Sequence, residues 1–164
     1  MLAYIKRTLR GELVGVELGV FKGFNSENIL ENLSIKKLYA VDSYPTYWDL
    51  VDGKKVLINH TDIKLEAQER LKKYSNAFFI PKSSGEAAVE IPDNLDFVYI
   101  DADHNYEPVL HDIKTYYPKV RPGGVIGGHD FEKKGVFRAV SEFVVANDLQ
   151  INFQTIDWWI VKPK

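Results

Sequence analysis

The sequence contains no cysteine, and it also lacks long basic runs and long apolar runs. Without cysteine, the chain has no disulfide framework, no thiol nucleophile and no thiolate metal site. A net charge of −2 without a basic stripe predicts neither a nucleic acid partner nor an anionic membrane surface. Residues 1–13 are mixed and charged, without the apolar core of a signal peptide. We therefore expect a cytoplasmic protein.

Strand-like and helix-like segments alternate along the chain. Apolar strands are predicted at residues 13–18, 38–41, 77–80, 95–100 and 125–128. Helices are predicted at 26–33, 63–74, 84–89, 106–117 and 136–144, and closing strands at 151–161. This alternation predicts an α/β fold, Rossmann-like and doubly wound, with a mostly parallel sheet, helices on both faces and a closing antiparallel strand. The chain has 164 residues, 45% of them hydrophobic, which predicts one domain over 1–164.

One irregular segment, residues 43–61, interrupts the alternation. It is long for a loop in a compact domain, so we interpret it as a lid or a binding loop. Two histidines, His60 in this segment and His111 on the polar side of a helix, are interpreted as solvated. Three aromatic side chains of the segment either form a wall for a substrate or anchor the loop to the core: Tyr44, Tyr47 and Trp48.

A site for a nucleotide-like ligand is predicted where the first strand ends. Glu17 lies near the end of that strand, and Gly19 and Gly23 form the turn that follows it. Glycine allows a ligand to approach the backbone closely, and the start of the next helix offers free N–H groups. Asp42 ends the second strand, where a carboxylate can accept hydrogen bonds from both hydroxyls of a ribose.

The charge of Glu17 indicates which nucleoside the site takes. A dinucleotide places its pyrophosphate against the first turn, usually through G-x-G-x-x-G. Here the spacing is Gly19-x-x-x-Gly23, and the carboxylate of Glu17 would repel a pyrophosphate. S-adenosylmethionine has no phosphate, and its sulfonium and amino groups are positive. The residues therefore favour the methyl donor, with an NAD-linked Rossmann oxidoreductase as the alternative.

Longer motifs support the same conclusion. The matching segments, in the expected order, are VELGVFKG at 16–23, AVD at 40–42, FVYIDADHNYE at 97–107, PGGVIGGHDF at 122–131 and VFRAVSEF at 136–143. With these segments the chain resembles the class I S-adenosylmethionine-dependent methyltransferases. Among them it is similar to the small bacterial O-methyltransferase-like group, in the branch of the macrocin and catechol O-methyltransferases.

The resemblance implies which residues contact the cofactor. The expected contacts are Glu17, Gly19, Phe21, Gly23, Ser26, Asp42, Ser43, Ser84 and Asp101. Within that set, Asp42 would hold the ribose, Ser84 would lie near the adenine, and Asp101 would lie close to the methyl group. The glycine turn and Glu17 would line the methionine end.

Titratable residues follow two strands that should be neighbours. Asp101, Asp103 and His104 lie in one turn after the fourth strand, and His129 and Asp130 end the fifth. A neutral hydroxyl is a poor nucleophile, so methyl transfer to oxygen needs a base or a metal. Asp103 or His104 is the expected base, with Asp101 as the third catalytic residue. Asp101, His129 and Asp130 suit Mg²⁺ or another divalent cation. A helix cap at His104 and a polar turn at His129-Asp130 are the structural alternatives.

The expected acceptor is a small molecule. A chain of this length leaves little beyond the core fold from which to build an acceptor pocket. The pocket would then be completed by residues 43–61 or by a second copy of the chain in a homodimer. A non-catalytic relative that binds S-adenosylmethionine without transferring its methyl group is a further alternative.

Overall fold

The elements are described from a computed structural model, which covers the backbone of residues 1–51 and 54–164 and their side chains apart from those of residues 47–51 and 58. The strands are β1 Leu13–Leu18, β2 Ile35–Val41, β3 Thr46–Val51, β4 Lys54–Asn59, β5 Ala77–Ile80, β6 Leu95–Ile100, β7 Val120–Gly128, β8 Ile151–Gln154 and β9 Asp157–Val161. The helices are α1 Leu2–Thr8, α2 Phe24–Asn32, α3 Thr61–Leu71, α4 Ser84–Ala87, α5 Tyr106–Tyr116 and α6 Lys134–Ala146. Over the described residues, no helix combines the length and the apolar character needed to cross a membrane.

Seven strands form one sheet in the order β5-β2-β1-β6-β7-β9-β8. The first five pair in parallel, whereas β9 runs antiparallel to β7 and β8 runs antiparallel to β9. The predicted α/β fold with its closing antiparallel strand is thereby confirmed. The chain moves outward from β1 through β2 to β5 and then returns to the other side of β1 as β6. In open α/β sheets such a reversal of strand order creates a crevice beyond the carboxyl ends of the strands.

Both faces of the sheet are buried under helices. In β6, Val98 and Ile100 belong to the apolar cluster that includes side chains of α5 and α6. Phe97 and Tyr99 belong to a second cluster, with Ile5 of α1 and residues of α2. Because successive side chains of a strand point to opposite faces, a strand buried on both faces is apolar at nearly every position. This explains why the parallel strands have continuous apolar sequences.

Residues 43–61 are not the irregular segment that the sequence predicts. β3 and β4 form a separate antiparallel pair, with Thr46 opposite Asn59 and Val51 opposite Lys54. The sequence does carry a signal for this hairpin. Asp-Gly, the pair that stands between Val51 and Lys54 in the sequence, is favoured in two-residue hairpin loops. Strand-forming residues such as Thr, Tyr, Val and Ile flank it.

Two further elements differ from the prediction. Helix α1 was not predicted, and it forms against the sheet with Ile5 fully buried. Strand β7 begins at Val120, although the Pro-Gly-Gly sequence in its first half predicts a turn. The pairing register shifts there, between Leu95 and Phe97 of the neighbouring strand, so this part of β7 is irregular.

Gly15, in the middle of β1, lies against the ring of Phe97. The two residues are paired across β1 and β6. An ideal Cβ at Gly15 would lie 2.1 Å from Cζ of that ring. Phe97 is fully buried, so its ring has no open space into which it could move. The sheet therefore needs a residue without a side chain at this position.

Gly15→Ala should destabilise the protein by about 3 kcal/mol, at the upper end of what overpacking a core costs. Gly11→Ala is the matched control. Nothing lies within 4 Å of a Cβ at Gly11, and its φ of +84° leaves only backbone strain, worth about 1 kcal/mol. Urea unfolding of both variants measures the difference. A Gly15→Ala protein as stable as Gly11→Ala would contradict this account, whereas partial recovery on adding Phe97→Leu would support it.

Candidate active site

The parallel strands end at a large cavity of about 890 Å³, a volume typical of small-molecule sites. Residues that follow β1, β2, β5, β6 and β7 form its wall, together with parts of α2 and α5. The predicted site residues in this wall are Gly19, Phe21, Asp42, Ser43, Ser84, Asp101, Asp103, His104 and Asp130. Those that do not belong to the described wall are Glu17, Gly23, Ser26 and His129.

The turn after β1 requires glycine at Gly19. An ideal Cβ there would lie 2.0 Å from the carbonyl oxygen of Asp101, and φ is +91°. A side chain at this position would push β1 and β6 apart. Phe21, two residues on, also has a left-handed backbone, with φ of +49°. Its N–H donates to Oδ2 of Asp42 at 2.8 Å, so the turn is tied to the end of β2.

Asp42 is held by two backbone donors. Phe21 donates to Oδ2 and Tyr44 donates to Oδ1, each at 2.8 Å. A carboxylate has about four acceptor sites, so both oxygens can still accept from a ligand. Tyr44 is buried, its hydroxyl donates to the Phe21 carbonyl at 2.9 Å, and its ring stacks on Phe79 at 5.6 Å. Of the two interpretations of Tyr44, the anchor is therefore the one observed. The side chains of Tyr47 and Trp48 lie outside the described residues.

Glu17 lies behind the cavity wall. Its side chain is fully buried, with Asn25 donating to Oε1 at 2.8 Å and Ser26 donating to Oε2. It therefore joins the first turn of α2 to β1, and Asn25, which lines the cavity, stands in front of it. Burial raises the pKa of Glu17 to about 7. The hydrogen bonds from Ser26 and Asn25 act in the opposite direction and lower this pKa, whereas the negative charges of Asp101 and Asp42 raise it.

Gly23 and Ser26 support the wall without lining it. Gly23 is the N-cap of α2, with φ of +80°, and an added Cβ would meet Ala67 and Arg70 of α3. Ser26 is fully buried against Glu17. Gly23, Ser26 and Glu17 thus lie next to the wall without lining the cavity, and their direct contact with a cofactor stays a prediction.

The titratable residues after β6 and β7 do converge. His104 Nε2 lies 2.6 Å from Asp130 Oδ2 and 4.0 Å from Asp101 Oδ1. His129 Nδ1 lies 3.2 Å from Asp130 Oδ1 and 3.9 Å from Asp101 Oδ1. Burial raises the pKa of Asp101 to about 6, with His129 and His104 lowering it and Asp130 raising it. The arrangement can exchange a proton between acids and imidazoles.

The candidate metal ligands differ from the predicted set in one residue. Asp101, His104 and Asp130 each offer one ligand atom, and these atoms lie within 4.8 Å of one another. This group contains His104 and not the predicted His129, although His129 also lies beside both aspartates. Two carboxylates and an imidazole suit a divalent cation; metal binding here stays a prediction.

Asp103 has a different environment from His104. It is exposed, and its Oδ1 accepts from the backbone N–H of Asn105 at 2.6 Å. This bond orders the loop before α5. Of the two candidate bases, His104 is the one with carboxylate partners.

Asp112 and His60 are among the wall residues that were not predicted from the sequence. Asp112 of α5 is 3% exposed, and Ser84 donates to its Oδ1. Burial raises the pKa of Asp112, against the Ser84 hydrogen bond. A signal was available, because Asp112 falls on the same helical face as Val109 and Ile113. His60 is half-buried in the wall rather than solvated, with its ring edge-on to Phe21, whereas His111 is exposed as expected.

Glu17→Gln should change how stability depends on pH. The reference pKa of 4.5 rises to about 7 in the fold. Between those values the folded chain keeps a proton that the unfolded chain has lost. The stabilisation is complete below pH 4.5 and lost as pH rises toward 7. As the pH rises from 4.5 to 7, the free energy of unfolding should therefore fall by roughly 3 kcal/mol more in the wild type than in the Glu17→Gln variant.

Urea unfolding across that pH range measures this difference. Glu12→Gln, which removes an exposed carboxylate just before β1, is the control and should follow the wild type. A difference between wild type and Glu17→Gln that does not vary with pH would contradict the buried titration.

Known proteins share this architecture. An rRNA methylase from Streptococcus thermophilus is 14% identical with a TM-score of 0.71, covering 99% of this chain and 94% of its own. The O-methyltransferase NovP is 18% identical with a TM-score of 0.69, and the alignment covers 99% of this chain and 79% of NovP. A methyltransferase candidate from Streptococcus mutans, solved in complex with SAH, is 14% identical with a TM-score of 0.73, covering 98% and 94%. At these identities the likeness concerns the fold.

The amino-acid sequence itself also matches known proteins. An uncharacterized protein of Acanthamoeba polyphaga mimivirus is 27% identical over 128 residues, which are 75% of this chain and 53% of the viral protein. This chain thus spans about half the length of that relative. Residues 16–131 match a protein family described as a methyltransferase domain. Since that match runs from β1 past the end of β7 and covers most of the chain, the chain belongs to the methyltransferase domain family.

Proposed function

We propose that this chain transfers the methyl group of S-adenosylmethionine to a hydroxyl oxygen of a small molecule. The observation that carries the proposal is Asp42, held by two backbone N–H groups at the centre of the wall with acceptor capacity left over. A carboxylate so fixed suits the two hydroxyls of a ribose. Membership of the methyltransferase domain family supports the donor, as does the SAH bound to the Streptococcus mutans protein of the same fold.

The charge of the cavity suits this donor. Asp42, Asp101 and Asp130 line the wall. A sulfonium and an ammonium group would offset this negative charge, whereas a pyrophosphate would add to it. The start of α2 offers backbone N–H groups to the carboxylate of a methionine moiety. The cavity therefore supports the methyl donor over NAD.

The transfer is a displacement at carbon. The acceptor oxygen attacks the methyl carbon and forms a C–O bond, while the C–S bond breaks and its electron pair stays on sulfur. The hydroxyl proton goes to His104. Asp130, at 2.6 Å, and Asp101, at 4.0 Å, offset the positive charge that the ring then gains. General bases of this kind typically contribute about 10²- to 10⁴-fold in rate.

A divalent cation would use the same residues. Asp101, His104 and Asp130 are the side chains that would hold it. Bound there, such a cation would lower the pKa of the acceptor hydroxyl. His104 could not use one nitrogen both as a ligand and as the base, so a cation bound through Nε2 would leave only Nδ1 to take the proton.

The chemistry of the wall supports a small acceptor. Five aspartates line the cavity, Asp42, Asp101, Asp103, Asp112 and Asp130, against two lysines, Lys22 and Lys82. An acidic wall disfavours a polyanion such as RNA. NovP, which has the same fold, is an O-methyltransferase, and this agrees with oxygen as the acceptor atom.

Isothermal titration calorimetry with S-adenosylhomocysteine tests the cofactor. We expect the wild type to bind and Asp42→Ala to weaken binding at least 10-fold, because a charged acceptor is lost. Asp42→Asn, which keeps one carbonyl acceptor, should lie between them. Asp93→Ala is the control, since Asp93 is 77% exposed and pairs with Lys119. Absence of binding to the wild type, or an unchanged affinity in Asp42→Ala, would contradict the proposal.

His104→Gln should lower the turnover number by about 10² or more while leaving the affinity for S-adenosylhomocysteine nearly unchanged. The assay follows a labelled methyl group from S-adenosylmethionine into the small-molecule and RNA fractions of a cell extract. His111→Gln replaces an exposed histidine of α5 and should keep full activity.

The same assay separates the alternatives. Label that accumulates in the RNA fraction would overturn the small-molecule acceptor. Activity lost in EDTA and restored by Mg²⁺ would show that a divalent cation takes part in the transfer. Tight binding of S-adenosylhomocysteine with no labelled product in either fraction would favour the non-catalytic relative.

A further inference from the structure

Asp112 is a buried acid that forms no salt bridge among the described residues, although the nearby His111 lowers its pKa. It is 3% exposed, on α5, among Val109, Ile113 and other apolar side chains. Of the polar and charged residues buried in the described chain, Glu17 and Ser26 bond to each other, and Asp112 is the remaining one. Burying a carboxyl group is costly unless its oxygens have partners. We therefore expect Asp112 to have a partner at each of its two carboxylate oxygens.

The position of Asp112 is fixed on one side only. Ser84 donates to its Oδ1, and Tyr116 donates to the carbonyl of Ser84 at 2.7 Å. No other hydrogen bond to Asp112 is found among the described residues. Among the described residues, two fully buried side-chain polar atoms lack a hydrogen-bond partner, the indole nitrogens of Trp158 and Trp159. Oδ2 of Asp112 is not one of these atoms, so it is not fully buried. Oδ2 is therefore accessible from the cavity, whose wall includes Asp112.

The strand order decides which part of a ligand reaches this oxygen. Across the carboxyl edge of the sheet the order is β5, β2, β1, β6 and β7. Asp42 follows β2, while Asp101 and Asp130 follow β6 and β7 on one side of it. Ser84 follows β5 on the other side. With the ribose at Asp42 and the reacting carbon near Asp101, the nucleobase extends toward β5.

We propose that Oδ2 of Asp112, oriented by Ser84, accepts a hydrogen bond from the 6-amino group of adenine and thereby selects adenine over 6-oxopurines. This inference rests on the proposed function. The 6-amino group is a donor, whereas the 6-oxo group of hypoxanthine or guanine is an acceptor. A 6-oxo group that faces the Asp112 carboxylate oxygen cannot form a hydrogen bond with it, and the two oxygens repel each other. In this way a buried polar group rejects a ligand of nearly the same shape.

The test compares S-adenosylhomocysteine with S-inosylhomocysteine, which differs by the 6-oxo group, by calorimetry. The wild type should bind the adenosyl compound roughly 10- to 100-fold more tightly. Asp112→Asn should bring the affinity ratio close to one, because an amide N–H₂ can donate to a 6-oxo group. Glu107→Gln is the matched control, since it removes an exposed carboxylate from the same helix and should keep the wild-type ratio.

Each outcome has one meaning. A wild type that binds neither compound overturns the proposed function. Binding of S-adenosylhomocysteine with a wild-type ratio near one overturns the role of Asp112 alone, and this measurement needs no variant. An unchanged ratio in Asp112→Asn does the same. Asp42→Ala should weaken both compounds equally, because its partners are ribose hydroxyls present in each.

Discussion

The site depends on how closely β1 and β6 approach each other at their carboxyl ends. The Asp101 N–H donates to the Leu18 carbonyl at 2.7 Å, and the Gly19 N–H donates to the Val41 carbonyl at 2.8 Å. The ladders that join β2, β1 and β6 therefore continue to the last residue of each strand. Gly19 lies directly against the Asp101 carbonyl, where no side chain fits. Beyond this contact the segments that follow β2, β1 and β6 diverge, and the space between them becomes the cavity.

The same contact explains the electrostatics of the site. Parallel strands that end together bring their terminal carboxylates together, as seen for Asp42, Asp101 and Asp130. The fold compensates each one locally, with backbone N–H groups at Asp42 and imidazoles at Asp101 and Asp130. None of these carboxylates pairs with a lysine or arginine among the described ion pairs. A positively charged ligand therefore meets a cavity whose negative charge is only partly offset.

The sheet and the convergence of acids at one edge were predictable from the sequence. Apolar strand segments and the residues that end them are local features, and the rule that parallel strands end at one edge supplies the rest. The orientations of side chains were not predictable. Glu17 and Ser26 turn inward and bond to each other, and His104, from the loop after β6, reaches Asp130, which His129 also contacts.

Longer-range contacts explain the other differences. Asp112 joins the wall only because α5 packs beside α4, so its contact with Ser84 links residues far apart in the chain. The helix α1 depends on burial of Ile5 against the sheet. By contrast, the β3–β4 hairpin has a local signal, Asp-Gly between strand-forming residues, and was therefore predictable from the sequence.

That hairpin is attached to the cavity at both of its ends. Its first strand begins just after Ser43 and Pro45, and its second ends just before His60, and all three residues line the wall. Thr46 and Asn59 are paired at its base, so the two attachment points stay side by side. Because Thr46 and Asn59 are joined at this base, the loop that follows Asp42 and the residue His60 belong to one structural unit at the edge of the cavity.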